Sequence, residues 1–101
     1  MKYHKMVRDE IPSFLEKKGV PAKFSLCSKE EYAPLLRAKL LEEVDEYLAS
    51  ESIEEIADIL EVIEAICVQK GFSEMEIRRI KQEKHAERGG FQKGVILEET
   101  S

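Results

Sequence analysis

Tryptophan is absent from this sequence, and cysteine, proline and glycine are scarce, at two, three and five of 101 residues. Each scarcity excludes something. Two cysteines without a Cys-x-x-Cys spacing make no disulfide framework, and with only His4 and His85 beside them they argue against a zinc site. Cys27 and Cys67 stand in apolar settings and are expected to be reduced, buried thiols of a cytoplasmic protein. So little Gly and Pro argues against an all-β or loop-built chain. No apolar run approaches the roughly 20 residues of a membrane span, and the mixed, basic start lacks the apolar stretch of a secretion signal. A basic surface is missing too. The net charge of −5 and pI near 5.1 speak against a nucleic-acid-binding role.

What remains is a chain rich in both apolar (43%) and charged (37%) residues, the composition of a helical globular protein. Its length suits a single domain over residues 1–101, with a core modest enough that a partner subunit would help. The fold class expected is all-α, an antiparallel helical bundle, with a small terminal β-hairpin or strand pair.

The centre of the chain is residues 39–64. Two helical patterns there each carry acids three apart, Glu43 with Glu46 and Glu55 with Asp58, and such a pair lies on adjacent turns of one helix face. The break at residues 49–52 permits only a tight connection, so the helices should run antiparallel and bring the four carboxylates together. Like charges at that distance repel, and a buried unpaired carboxylate is costly. A divalent cation relieves both costs, and an all-oxygen donor set suits Mg²⁺ better than Zn²⁺. An isolated Glu-x-x-Glu is usually no more than a solvated face. Here, at roughly 100° per residue, Ile59, Val62 and Ile66 fall on the same side as Glu55, at the edge of an apolar surface. Glu42 and Asp45 point further out and read as solvated.

Along the chain, Asp9 and Pro12 suggest a helix start and Gly19 its end. Alternation over residues 22–26 suggests a short strand, which residues 94–98 could pair with. Ser28 with Glu31 has capping-box spacing and opens a helix running from about Lys29 to Leu48. Ser52 with Glu55 has the same spacing, giving Glu55 a rival structural role, and opens a helix to about Gln69. That helix is apolar over most of its circumference, as a central or subunit-contacting helix would be. Ser73 caps a further helix to about Glu87. Lys81, Lys84, His85 and Arg88 form a basic cluster before a glycine turn, fit either for phosphates or for the negative helix end. Arg8 has the same two readings, phosphate contact or surface ion pair.

The pattern Glu42-Glu43-Val44-Asp45-Glu46 followed by Glu54-Glu55-Ile56-Ala57-Asp58 resembles the MazG-like all-α nucleoside triphosphate pyrophosphohydrolases, which include the phosphoribosyl-ATP pyrophosphohydrolases. Met6-Val7-Arg8-Asp9-Glu10-Ile11-Pro12 and Glu87-Arg88-Gly89-Gly90-Phe91 resemble a small MazG-related subgroup, so the likeness spans nearly the whole chain. The resemblance implies Mg²⁺ ligands, with Mn²⁺ able to substitute, at Glu43, Glu46, Glu55 and Asp58. It implies hydrolysis of an NTP or dNTP to monophosphate and pyrophosphate, with one of these acids or Glu42 as general base. Phosphate contacts would come from Lys39, Lys84, Arg88 and Arg8, and the chain would assemble as a homo-dimer or tetramer. The alternatives are phosphoribosyl-ATP as substrate and a catalytically silent helical oligomerisation or regulatory module.

Overall fold

The computed structural model describes residues 3–101. Four helices follow in order: α1 (Ile11–Lys17), α2 (Lys29–Ser50), α3 (Ile53–Lys70) and α4 (Glu74–Arg88). The all-α expectation holds; the strand pair does not. Among the described residues none is in a strand. Residues 20–28 and 95–101 have β-prone side chains but no neighbouring strand to satisfy their backbone, and an isolated strand has no stability of its own. Leu26, Val95, Ile96 and Leu97 are accordingly exposed.

Local chemistry sets the helix ends. Ser28 Oγ accepts from Glu31 N, and Glu31 Oε1 accepts from Ser28 N at 3.0 Å, a complete capping box at the start of α2. Hydrogen bonds from the Ser28 backbone N–H foremost, then from the His4 ring and the Ser28 hydroxyl, hold the Glu31 carboxyl below its ordinary value. α2 runs on through Pro34, which lies past its first turn and forgoes the hydrogen bond a backbone N–H there would donate. Ser73 caps α4 through Glu76 N at 3.3 Å. α1 differs from expectation: its cap position is Glu10, not Asp9, and no side chain caps it.

The α2–α3 turn is only two residues long. Glu51 closes it at φ 53°, the one left-handed non-glycine among the described residues, and its N–H bonds back to Tyr47 O at 2.6 Å. Ser52 bonds to Ser50 Oγ instead of to Glu55, so the predicted second capping box is not made and the Glu55 carboxylate is left for other contacts.

The chain divides into two compact units, Met1–Lys70 and Gly71–Ser101. In the first, α2 packs along α3, and Leu36 on α2 and Val62 on α3 are the buried apolar residues among those described. Ile59 and Ile66 are half-buried on the same side of α3. The second unit is α4 and the tail, with every residue exposed.

Candidate metal centre

The tight turn brings α3 back along α2, so that Glu43 of the first acid pair, though not Glu46, groups with both acids of the second. Carboxylate oxygens of Glu43, Glu55 and Asp58 lie within 4.8 Å of one another, and so do those of Glu42, Glu43 and Glu46. Glu43 belongs to both sets. It is also the buried acid of the chain, at 5% exposure. Its Oε1 receives Lys39 Nζ at 3.1 Å, across one helical turn of α2, whereas its Oε2 is buried with no hydrogen-bond partner. Buried polar atoms are nearly always satisfied, and leaving one unpaired costs about 1–3 kcal/mol. Glu43 thus combines membership of both carboxylate triads with a buried, unpartnered oxygen.

The surrounding electrostatics point the same way. Repulsion from Glu43 foremost, then desolvation, hydrogen bonding with the Glu43 side chain and the charges of Glu55 and Glu42, push the exposed Glu46 carboxyl above its ordinary value. Glu42 is shifted oppositely. Lys5 Nζ donates to its Oε1 at 2.8 Å and Lys39 Nζ to its Oε2 at 3.2 Å, and the Lys5 bond is the main reason its carboxyl is held below the usual range. Glu42 is therefore no solvated bystander, as its place in the sequence suggested; Asp45 is exposed as expected.

Arg8 reaches the cluster from the far end of the sequence. Its Nη2 donates to Asp58 Oδ1 at 2.6 Å and its Nη1 to Glu61 Oε1 at 3.3 Å. The hydrogen bond to Asp58 also raises the Arg8 guanidinium further above its ordinary value. Of the four expected phosphate contacts, Lys39 and Arg8 thus border the acidic face. Lys84 and Arg88 belong to the second unit, exposed on α4, where Arg88 Nε lies 3.9 Å from Glu87 Oε1.

Two contributors were missed on sequence grounds. Glu61 lies three residues after Asp58, on the same face of α3, and that spacing was a usable signal. Lys5 carried none, because 37 residues separate it from Glu42.

Chemically, the arrangement offers oxygen donors alone, with neither histidine nor cysteine in either triad. That donor set fits a hard divalent ion such as Mg²⁺ or Mn²⁺. No helix among the described residues is long and apolar enough to cross a membrane. No protein-family model, curated protein or solved structure matches the chain.

Proposed function

We propose that this chain is a Mg²⁺-dependent nucleoside triphosphate pyrophosphohydrolase of MazG-like type, acting on an NTP or dNTP. The observation that carries the reading is the Glu43 carboxylate: buried, shared by two acid triads, and with one oxygen unpartnered. A purely structural helical pair gains nothing from such an atom, whereas a metal site requires it.

Glu43, Glu46, Glu55 and Asp58 hold the ion in this reading. When bound, a hard divalent cation supplies neutralising charge for the phosphates and an acidified, oriented water. Lys39 fixes Glu43 through its other oxygen and, with Arg8, offers donors to phosphate oxygens at the border of the acidic face. Hydrolysis adds one water across the α–β anhydride. The water's proton passes to a carboxylate of the set, Glu42 included, and monophosphate and pyrophosphate separate.

A second copy of the chain is the proposed partner. Ile53, Ile56, Leu60 and Ile63 follow a 3-4-3 spacing on α3, and remain 83, 40, 60 and 40% exposed. Leu41 and Leu48, also exposed, lie on the matching side of α2, turned well away from Glu42 and Glu46. The helical pair thus has an acidic face and an apolar face. Two buried apolar residues among the described ones, neither completely enclosed, are too few to stabilise a chain of this length alone. Light scattering should find a homo-oligomer that Leu60→Glu dissociates or unfolds; a well-folded wild-type monomer would contradict this.

The activity is tested by pyrophosphate release from a panel of NTPs, dNTPs and phosphoribosyl-ATP, in Mg²⁺ and in EDTA, with wild type and Glu55→Ala. Metal-dependent release from one substrate class, lost in the variant, is expected. Folded protein that releases nothing with metal from any substrate would overturn the enzyme reading and favour the silent module.

A further inference from the structure

The acidic face carries cations of two different kinds. Lys39 is built into α2, its side chain 16% exposed, and pairs with both Glu42 and Glu43. Lys5 and Arg8 come instead from the non-helical N-terminal arm and cross the helical pair, one gripping Glu42 on α2 and the other Asp58 and Glu61 on α3. Each arm cation therefore occupies a member of a different acid triad. Their grip is through side chains alone, and both are about half-exposed. Exposed ion pairs of this kind contribute at most about 1 kcal/mol each. Between them, Met6 and Val7 are only half-buried.

We propose that the arm is a displaceable clasp, in which Lys5 and Arg8 are the counter-ions of the acidic face in the metal-free protein and a divalent cation takes their place. The proposal rests on the metal reading above. A guanidinium 2.6 Å from Asp58 sets a positive charge beside the position a second positive charge must enter, so the two compete. Because the arm pairs are weak and exposed, a divalent ion held by several carboxylates displaces them at small cost. Lys39 stays, since it belongs to the helix. The released Arg8 guanidinium is then left at the mouth of the site, free to receive an anionic oxygen.

A static clamp makes the opposite prediction. If the arm merely staples α2 to α3 and so holds the carboxylates in place, removing Arg8 weakens metal binding; if the arm is a clasp, removing it strengthens binding. The experiment is calorimetric titration of the full chain with Mn²⁺ for wild type, Arg8→Gln and Lys5→Gln, each checked for helicity by circular dichroism. It is paired with trypsin cleavage after Lys5 and Arg8 in the presence and absence of Mn²⁺. Arg8→Gln should bind Mn²⁺ roughly two- to five-fold more tightly, Lys5→Gln should shift the same way, and Mn²⁺ should speed cleavage of the wild-type arm. Wild type that binds Mn²⁺ while both variants bind equally or more weakly, with cleavage indifferent to the ion, would overturn the clasp and leave the metal site standing. Wild type that binds no Mn²⁺ would overturn both.

Discussion

Replacing Glu43 by Gln should move stability in opposite directions with and without metal. In the metal-free protein Glu43 is buried, repelled by Glu46 and carries an unpaired Oε2. The amide keeps the shape, removes one negative charge from the cluster, and puts an N–H where a lone pair had no donor. Its N–H₂ can donate to the neighbouring Glu46 or Glu55 carboxylate, and its remaining oxygen can still accept from Lys39. The relief is on the order of the cost of one orphaned buried atom, about 1–3 kcal/mol. Lys39 retains Glu42 at 3.2 Å, which limits what is lost on that side. For a domain of this size each kcal/mol moves the melting temperature by about 4–8 °C. Thermal melts followed by circular dichroism at fixed protein concentration should therefore show Glu43→Gln melting higher than wild type in EDTA. Saturating Mg²⁺ should reverse the order. A ligand at about 100 times its Kd stabilises by about 2.7 kcal/mol, which wild type gains and the variant does not. A variant less stable than wild type in EDTA, or a wild type indifferent to Mg²⁺, would refute the reasoning.

Two further outcomes follow from the same geometry. Because its carboxyl lies above the ordinary value of 4.5, Glu46 contributes stability that is complete below 4.5 and lost as pH rises through its raised value. Glu42, held down by Lys5, does the reverse, its contribution present above 4.5 and lost as pH falls through its lowered value. Metal-free Glu46→Gln should therefore lose the wild-type decline in melting temperature as pH rises above 4.5 while keeping the acid-side loss; parallel profiles would contradict this. Glu51 holds a left-handed backbone that costs an ordinary residue about 1 kcal/mol. Glu51→Gly should raise the melting temperature by several degrees without altering Mn²⁺ affinity, as differential scanning calorimetry and titration would show.

Much of the site was legible because the acids sit on regular helices. The apolar period of residues 36–66, the Ser28 box and the short break at 49–52 determine two antiparallel helices, and once these are fixed Glu43 must face Glu55 and Asp58, while Glu46 stays with Glu42 and Glu43 on α2. The side of α3 carrying Ile59, Val62 and Ile66 was likewise readable at about 100° per residue. What failed depended on partners that local sequence does not specify. Residues 22–26 and 94–98 have strand-like side chains, but a strand exists only when a second backbone lies beside it. Ser52 chose Ser50 over Glu55 because the two-residue turn places Ser50 Oγ within reach. Lys5 entered the site, and Arg8 found its ion-pair partners, through contacts spanning 37 and 50 residues, which no periodicity encodes.

The central claim is that this carboxylate set supports hydrolysis of a nucleoside triphosphate at its α–β anhydride. It is tested most directly by phosphorus NMR of the products formed by the full-length protein in Mg²⁺, with Asp58→Asn as the control. Monophosphate and pyrophosphate appearing in equal amounts, and neither appearing with the variant or in EDTA, is the predicted result. Diphosphate with inorganic phosphate, or product formation unaffected by loss of Asp58, would contradict it.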